Sequence, residues 1–381
     1  MRDVIVLGST GSIGIQTLEI IAENPTLFRV IALTSAGNDP QQVISQVKKF
    51  QVKTVGVVKN AEIIREALPG VRVIDGALAS TEIAALKSDV VVNGINGSIG
   101  LGPTLAALSA GNVLALANKE SLVAGGELVM KLAQPGQIIP VDSEHSAIFQ
   151  SCLAGKKSEI KKLILTASGG PFRERENLDG ITLSDALKHP TWSMGSVVTI
   201  NSATLINKGL ELIEAHYLFA MAYSDIETVI HPQSVVHSLV EFHDGSTVAQ
   251  ASPPNMKGAI AYAINWPDRL ANATKAIDWS IAHDWRFEPV DSVKFPSIEL
   301  ARHCGELGGA MPAIFNAANE VAVEAFIQGK LSFKAIVEVV SAVAQEMEED
   351  SPKTLRDLAD VSAIEDDART RASAHLIRLA P

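Results

Sequence analysis

The fold of the first part of the chain follows from one stretch near its start, Val4-Ile5-Val6-Leu7-Gly8-Ser9-Thr10-Gly11-Ser12-Ile13-Gly14. An apolar run passes directly into a glycine-rich turn, and a helical pattern begins at Gln16. Glycines permit a tight turn and a close approach to a pyrophosphate, which the free N–H groups of a helix N-terminus can bind. The spacing is G-x-x-G-x-x-G rather than the usual G-x-G-x-x-G, so a plain glycine turn is the alternative. We predict a dinucleotide-binding turn here.

Strand-like and helix-like runs alternate from this turn to about residue 139. The apolar strand runs lie at 4–7, 30–34, 54–58, 71–74, 89–93 and 112–116, with helical patterns between them, as at 16–23 and 41–49. Such alternation is typical of a parallel sheet covered by helices on both faces. We therefore predict an α/β fold in which residues 1–139 form a Rossmann-like nucleotide-binding domain.

The pattern changes after residue 140. Strand-like runs at 162–166, 197–200, 226–230, 234–241 and 246–250 surround a helix near 203–222. This indicates a central α+β domain over residues 140–264. Residues 265–296 have little periodicity and are interpreted as a linker. Residues 297–381 are predicted to form a C-terminal helical domain, with Ala-rich helices at 312–328 and 333–347.

The charge balance and the cysteines limit the functional classes. The 381 residues include 32 Lys and Arg against 43 Asp and Glu, a formal net charge of −11. We therefore expect neither nucleic acid nor a membrane as a partner, and an anionic substrate would need a local basic pocket. Cys152 and Cys304 lie far apart, which favours a reducing compartment over a disulfide framework. No signal peptide is visible, and glycines interrupt the most apolar stretch, residues 90–117. We expect a cytoplasmic protein.

Small and amide side chains follow the second predicted strand, in the order Ser35-Ala36-Gly37-Asn38. An NAD-binding fold usually places an acidic residue there to hold the ribose hydroxyls. Its absence leaves room for the 2′-phosphate of NADP. However, no Lys or Arg stands in this stretch, and Asp39 is close by. The residues thus favour NADP without supplying a cation for its extra phosphate.

Carboxylates in two segments are candidate metal ligands. If residues 140–145 are extended, Asp142 and Glu144 share one face of the strand. Asn207, Lys208 and Glu211 share a helix face through their i, i+3 and i, i+4 spacings. An all-oxygen site of this type suits Mg²⁺ or Mn²⁺ rather than zinc. The same spacing also fits a solvated strand face and an ordinary Lys–Glu helix pair, so both interpretations stay open at this point.

Two loops are candidates for contact with a ligand. Ser168 lies in a Gly-containing turn after an apolar run, which suggests a phosphate cradle, with a plain glycine turn as the alternative. The segment 189–195 carries Trp192 and Met194 between Pro190 and Gly195. Large apolar side chains in such a segment favour a lid over a ligand. A loop packed into the core is the other interpretation.

Taken together, these motifs closely resemble the 1-deoxy-D-xylulose 5-phosphate reductoisomerase family. The matching stretches are Gly8–Gly14, Leu116–Leu122, Pro140–Gln150, Thr166–Phe172, His189–Gly195, Ser202–Glu214, His231–Ser238 and Phe315–Glu320. They follow one another in order along the chain, and Ala117-Asn118-Lys119-Glu120-Ser121 and Val141-Asp142-Ser143-Glu144-His145 are individually uncommon. One departure concerns the second strand. Family members often carry a basic residue between Gly37 and Asn38, which are adjacent here.

The resemblance implies a role for each matching residue. The implied metal ligands for Mn²⁺ or Mg²⁺ are Asp142, Glu144 and Glu211, which with Lys119 are also the implied catalytic residues. The implied NADPH contacts are Thr10, Gly11, Ser12, Ile13, Gly37, Asn38, Asn118, Glu120 and Gly195. The implied substrate contacts are Lys119, Ser143, Glu144, Ser168, His189, Ser202, Asn207, Lys208 and Glu211, of which Ser168, Ser202, Asn207 and Lys208 would clamp the phosphate. Trp192 and Met194 would belong to the lid.

The resemblance also implies the reaction and the assembly. A metal-dependent rearrangement followed by hydride transfer would convert 1-deoxy-D-xylulose 5-phosphate to 2-C-methyl-D-erythritol 4-phosphate in a homodimeric enzyme whose central domain supplies the dimer contact. Two other functions remain to be distinguished. A sugar dehydrogenase without a metal site would stay active in EDTA, and a non-catalytic NADP sensor would bind the cofactor without turnover.

Overall fold

A computed structural model describes residues 1–192 and 194–379 of the chain. The strands are β1 (Arg2–Leu7), β2 (Phe28–Ser35), β3 (Thr54–Val57), β4 (Arg72–Asp75), β5 (Val90–Asn93), β6 (Val113–Leu116), β7 (Ile138–Pro140), β8 (Ile160–Ala167), β9 (Ile226–Ile230), β10 (Val236–Phe242), β11 (Thr247–Ala251) and β12 (Glu288–Pro289). The helices are α1 (Ser12–Glu23), α2 (Pro40–Phe50), α3 (Ala61–Ala67), α4 (Ala79–Ala84), α5 (Leu101–Ser109), α6 (Glu120–Leu132), α7 (Ser143–Ser151), α8 (Leu183–Ala186), α9 (Ser196–Ala203), α10 (Ile206–Phe219), α11 (Met256–Asn265), α12 (Ser297–Leu307), α13 (Met311–Ile327), α14 (Phe333–Met347) and α15 (Leu358–Leu379).

The chain divides into two compact units. The first unit comprises Met1–Ser121, Val129–Ser146 and Asn255–Lys275, and the second comprises the remaining described residues. The division into domains over 1–139, 140–264 and 297–381 stays a prediction. None of the helices in the described ranges combines the length and the apolar composition needed to cross a bilayer.

The first unit is built on a seven-stranded sheet with the order β4-β3-β2-β1-β5-β6-β7. All neighbouring strands run parallel. The strand β1 is central, and its Val4 to Leu7 are fully buried, because helices cover both faces of such a sheet. The direction of strand order reverses between β1 and β5. In open α/β sheets this point leaves a crevice at the carboxyl ends of the strands, where ligands bind. The predicted α/β fold and its six strand positions are confirmed.

The helix α11 belongs to the first unit although it lies late in the sequence. Its Lys257 pairs with Glu19 of α1 at 2.8 Å, and its Ile264 carbonyl accepts a hydrogen bond from Arg2 at 3.1 Å. Ile260 and Ile264 are fully buried. Residues 255–275 therefore complete the packing of the helix that follows the glycine-rich turn.

Residues 140–145 are not an extended strand, so the face-sharing argument for Asp142 and Glu144 was wrong. The strand β7 ends at Pro140 and α7 begins at Ser143. The Asp142 carboxylate accepts a hydrogen bond from the Glu144 amide at 3.2 Å, and the Asp142 carbonyl accepts one from Ser146 at 2.8 Å. Aspartate is a strong N-cap residue, and the acidic Glu144 in the first turn complements the helix dipole.

The second unit combines a five-stranded sheet, ordered β11-β10-β8-β9-β12, with a helical C-terminal part. The predicted strands near 162–166, 226–230, 234–241 and 246–250 are present, as are the helices at 312–328 and 333–347. The strand predicted at 197–200 is wrong, since these residues lie in α9. Their β-branched side chains suggested a strand, but packing in the folded chain overrides such weak propensities.

Candidate active site

The turn after β1 requires glycine at both ends. Gly8 has a φ of +74°, and a Cβ there would lie 2.8 Å from the Gly94 carbonyl oxygen. A Cβ at Gly14 would lie 2.3 Å from the Gly8 carbonyl oxygen. The helix α1 begins between them, so the amides of Ser12, Ile13 and Gly14 have no intrahelical acceptor. These amides and the helix dipole leave a partial positive charge at the start of α1, and the binding of a pyrophosphate there stays a prediction.

The ends of β1 and β2 are joined by hydroxyl groups. The Thr10 and Ser35 hydroxyls are hydrogen-bonded at 2.8 Å, and the Ser35 hydroxyl accepts a bond from the Gly37 amide at 3.1 Å. Asn38 is exposed beside this loop. Asp39 is the N-cap of α2, because its carboxylate accepts a bond from the Gln42 amide at 3.0 Å. The predicted cofactor residues 10–13, Gly37 and Asn38 therefore lie at one edge of the sheet.

Asn118 organises the loops after β5 and β6. Its buried side-chain amide donates to the carbonyls of Ile95 at 2.8 Å and Gly97 at 2.9 Å, and to the Glu120 carboxylate at 2.9 Å. Its side-chain oxygen accepts the Ser121 amide at 3.1 Å. These bonds fix the backbone beside Lys119. Asn118 therefore shapes this loop, and the contacts of Asn118 and Glu120 with the cofactor stay a prediction.

Lys119 and Asp142 form an ion pair at the carboxyl edge of the first sheet. The Lys119 ammonium lies 2.7 Å from one Asp142 oxygen, and the side chains are 12% and 11% exposed. The buried His145 ring lies 3.0 Å from the other oxygen. Burial alone would raise the pKa of the Asp142 carboxyl, but Lys119 and His145 outweigh it and hold that pKa well below its usual range. Asp142 is an oriented carboxylate anion.

Glu144 follows on the first turn of α7. Its carboxylate accepts a hydrogen bond from the Ser143 hydroxyl. Asp142 and Glu144 thus place two carboxylates on either side of one helix start, with Ser143 between them. All their donor atoms toward a cation are oxygens, the ligand type that Mg²⁺ and Mn²⁺ prefer. The residues of this turn fit the metal that the sequence resemblance implies.

His145 was missed by sequence reasoning, although it lies in a quoted motif. It is the third residue of α7 and faces Asp142 through an i, i+3 relation. That relation is visible in the sequence once the segment is taken as a helix start. Interpreting residues 140–145 as extended placed His145 on the other face.

In the second unit, His189 joins two predicted phosphate contacts. Its Nε2 lies 3.0 Å from the Ser168 hydroxyl and 3.1 Å from the Ser202 hydroxyl. Its Nδ1 accepts the amides of Thr191 at 3.1 Å and Trp192 at 2.8 Å. Burial lowers the pKa of His189 to about 4. The ring is therefore neutral near pH 7, with its proton on Nε2 between the two serines.

Gly169 and Gly170 shape the turn that carries Ser168. Both have positive φ, and a Cβ on Gly170 would lie 2.9 Å from the Ser202 carbonyl oxygen. The turn therefore packs closely against the end of α9. This close approach holds Ser168 near Ser202.

The first turns of α10 bury a charged pair. Lys208 and Asn207 both donate to the Glu211 carboxylate, and the Lys208 and Glu211 side chains are 4% and 1% exposed. Leu205, just before α10, has a φ of +58°. This left-handed residue breaks the backbone between α9 and α10, so Ser202 and the first turn of α10 lie on either side of one bend. The predicted Asn207–Lys208–Glu211 group is thus formed within this unit.

The candidate lid segment also belongs to the second unit. Trp192 and Met194 are half-buried, and the Trp192 ring lies 6.1 Å from the His237 ring, centroid to centroid. Gly195 is exposed and precedes α9 as its N-cap residue. Ser193, within the same segment, lies outside the described residues. The assignment of this segment as a lid, and of Gly195 to the cofactor, remain predictions.

Three family models match the chain. The model described as 1-deoxy-D-xylulose 5-phosphate reductoisomerase matches residues 4–126. Two C-terminal domain models of the same enzyme match residues 138–219 and 251–371. Together they cover most of the chain, from the glycine-rich turn into the last helix.

Relatives and solved structures of the same name agree over nearly the whole chain. The Streptomyces coelicolor protein named 1-deoxy-D-xylulose 5-phosphate reductoisomerase is 52% identical over 97% of this chain and 92% of its own length. The Mycolicibacterium smegmatis protein is 51% identical over 94% and 90%. A Zymomonas mobilis structure in complex with NADPH has a TM-score of 0.91 and 38% identity, covering 98% and 99% of the two chains. A structure with NADPH, fosmidomycin and magnesium has a TM-score of 0.92 and 36% identity, covering 99% and 98%.

Proposed function

The chain belongs to the 1-deoxy-D-xylulose 5-phosphate reductoisomerase family, and from this premise we propose how its residues divide the work of the reaction. The chain is an NADPH-dependent oxidoreductase that uses a divalent metal ion. It rearranges and reduces 1-deoxy-D-xylulose 5-phosphate to 2-C-methyl-D-erythritol 4-phosphate, a step of isoprenoid precursor biosynthesis. The agreement with relatives over almost the entire chain carries this assignment.

Asp142, Glu144 and Glu211 are the proposed ligands of the metal ion. The support is their chemistry, because all three offer carboxylate oxygens and two of them are held at one helix start. When bound, the ion supplies a Lewis acid for the carbonyl and hydroxyl oxygens of the substrate, and NADPH supplies the hydride. His145 is proposed to orient Asp142 through its hydrogen bond to that carboxylate, as partners of metal-bound carboxylates do.

Lys119 is proposed to stabilise negative charge on a substrate oxygen. It is a nearly buried cation whose backbone is fixed by the Asn118 bonds, so it needs little reorganisation to face a developing charge. Its ion pair with Asp142 keeps it in place before the substrate binds.

Ser168, Ser202, Asn207 and Lys208 are proposed to clamp the substrate phosphate. The two hydroxyls are held by one neutral histidine, which can donate to them or, through Nε2, to a phosphate oxygen. Lys208 and the start of α10 add positive charge. The two hydroxyl groups would orient the phosphate through hydrogen bonds, and Lys208 would balance its negative charge.

NADPH is proposed to lie along the carboxyl edge of the first sheet. The amides of Ser12 and Ile13, with Thr10 and Gly11, would hold its pyrophosphate, and Gly37 and Asn38 its adenosine ribose. Asn118, Glu120 and Gly195 are proposed to line the rest of the cofactor. The support is the free helix start of α1 and the small side chains after β2.

The chain is further proposed to form a homodimer in the cytoplasm. The second unit exposes large apolar side chains, since Trp279 is 70% and Val293 is 93% exposed. A second copy of the chain would cover such side chains. Cys152 and Cys304 are free thiols, which suits a reducing compartment. Sedimentation of the wild type and of Trp279→Asp tests the dimer, and equal masses for both at the monomer value would contradict it.

An NADPH-oxidation assay with 1-deoxy-D-xylulose 5-phosphate and Mn²⁺ tests the function. We expect turnover that EDTA abolishes and added Mn²⁺ restores. Turnover that persists in EDTA would indicate a metal-independent sugar dehydrogenase. Cofactor binding without any turnover would indicate a non-catalytic NADP-binding protein.

A further inference from the structure

The loops after β2 and β3 are held together by two hydrogen bonds. The Lys59 amide donates to the Ala36 carbonyl at 3.1 Å, and the Asn60 side-chain amide donates to the Gly37 carbonyl at 2.8 Å. Lys59 lies two residues after the end of β3, where the chain leaves the sheet at its carboxyl edge. The backbone of Lys59 is thus fixed beside the loop that follows β2.

Gly37 allows this contact. It has a φ of +80°, and a Cβ there would lie 2.2 Å from the Lys59 carbonyl oxygen. Any side chain at this position would push the two loops apart. Gly37 therefore allows the loops after β2 and β3 to lie in contact, which brings Lys59 beside the loop that follows β2.

The loop after β2 contains no cation of its own. In a nucleotide-binding sheet of this topology, the residue at the end of the second strand lies at the ribose, and a nearby basic side chain accommodates a 2′-phosphate. Here Ser35, Ala36, Gly37 and Asn38 provide none, and the Asp39 carboxylate caps α2.

Lys59 is the cation that the fold brings to this loop. Its side chain is exposed, and within residues 1–192 and 194–379 its ammonium has no ion-pair partner. Lys48 and Lys49 lie in the last turn of α2, and Lys53 precedes β3, so all three are at the amino edge of the sheet. Arg65 is paired with Glu62 and with Asp75.

We propose that Lys59 binds the 2′-phosphate of NADPH and sets the preference for NADPH over NADH. This inference rests on the proposed function only in that the chain binds NADPH. The lysine reaches the phosphate from the loop after the third strand, in place of a basic residue in the loop after the second. A flexible lysine acts there as a point charge, so its contribution should weaken as salt rises.

The dissociation constants of NADPH and NADH test the proposal without any turnover. They are measured by nicotinamide fluorescence for the wild type, Lys59→Met, Lys59→Arg and the control Lys53→Met, at low and at high salt. Lys53 is an exposed lysine at the opposite end of the same strand. We expect Lys59→Met to weaken NADPH binding roughly tenfold and to change NADH binding less than about twofold. Lys59→Arg should retain the preference, and Lys53→Met should match the wild type.

Competition with fragments locates the effect on the phosphate. Adenosine 2′,5′-bisphosphate should lose affinity in Lys59→Met, whereas 5′-AMP, which lacks the 2′-phosphate, should not. Equal changes for both cofactors, or no change for either, would overturn the proposal. A wild-type protein that binds neither cofactor would instead overturn the proposed function, so the two failures can be told apart.

Discussion

The Lys119 ammonium lies 2.7 Å from the Asp142 carboxylate, and both side chains are almost buried. One residue follows β6 and the other follows β7, so adjacent parallel strands bring the pair together at the same edge. The cation and the anion are therefore preorganised before any substrate arrives. In the proposed mechanism Asp142 binds the metal ion, and Lys119 stabilises negative charge on a substrate oxygen.

Asp142→Asn should abolish turnover while NADPH binding survives. The amide keeps the shape and can still cap α7, but it no longer offers a charged ligand to the metal. Isothermal titration measures NADPH binding, circular dichroism measures helix content, and the NADPH-oxidation assay measures turnover. Loss of both NADPH binding and helix signal would point to misfolding, and turnover near wild type would remove Asp142 from the metal site.

Lys208→Met should raise the Michaelis constant for the sugar phosphate roughly tenfold or more and leave NADPH affinity unchanged. It also leaves the Glu211 carboxylate buried without Lys208, so the free energy of unfolding should fall by about 3–5 kcal/mol. Steady-state kinetics and urea unfolding measure both effects.

The matched control for that change is Lys188→Met. Lys188 pairs with Asp185 through the same i, i+3 spacing, but Lys188 is exposed. Its loss should alter neither the kinetics nor the stability appreciably. If Lys208→Met behaves like this control, Lys208 does not contact the phosphate.

His189 should make the protein less stable in mild acid. Its pKa in the folded chain is about 4, against 6.5 for an ordinary histidine. Between these values the unfolded chain binds more protons, so the free energy of unfolding falls as the pH drops from about 6.5 toward about 4 and is insensitive to His189 above that window. Because the ring is partly open to solvent, we expect a loss on the order of 1 kcal/mol.

Urea unfolding of the wild type and of His189→Asn across this pH range measures that loss. An asparagine oxygen can still accept the amide of Trp192 or Thr191, but it does not titrate. The difference between the two proteins should therefore change with pH. A constant difference would show that His189 is protonated equally in the folded and unfolded chain.

Asp39→Asn should widen the preference for NADPH over NADH. It removes a negative charge near the proposed 2′-phosphate position and keeps an oxygen that can cap α2. Asp39→Ala should widen the preference in the same direction but also cost about 1 kcal/mol of stability through the lost cap. Cofactor dissociation constants and thermal unfolding separate the two effects. An equal response of NADPH and NADH would exclude this loop from recognising the phosphate.

Trp192 should report on closure of the lid segment. A substrate-like phosphonate is expected to bring its half-buried ring into a drier environment and to change its fluorescence. The other tryptophans, Trp266, Trp279 and Trp285, lie on a later segment of the chain, so they should contribute background. The measurement is the ligand-induced fluorescence of the wild type and of Trp192→Phe. A full signal in the Phe variant would show that Trp192 does not report closure.

The strands of the first sheet could be predicted because their apolar runs and the glycines of the turn after β1 fit no other structure. Val4 to Leu7 form a continuous apolar run, as a strand buried on both faces requires, and Gly8 and Gly14 occupy positions that no larger residue fits. The segment 140–145 misled the same reasoning, since Pro140 and Val141 suit a strand while Asp142 stops it by capping a helix.

Contacts between distant residues could not be read from spacing. The two amides that bind Nδ1 of His189 depend on the shape of one turn, and that shape decides which ring nitrogen carries the proton. Gly37 lies in the loop after β2 and Lys59 in the loop after β3, and only the order of strands in the sheet places the two loops side by side. Sequence motifs located the residue types, whereas the backbone determined which atoms meet.

Residues 255–275 pack in the first unit although they follow most of the second sheet in sequence, and this order affects folding during synthesis. A ribosome releases the glycine-rich turn and all seven strands of the first sheet long before it releases α11. Until then, the surface of α1 that α11 covers has no partner, and Glu19 cannot pair with Lys257. The nucleotide-binding unit is thus finished only after most of the second sheet has been synthesised, and an expressed fragment that stops at residue 139 would leave this apolar surface open to aggregation.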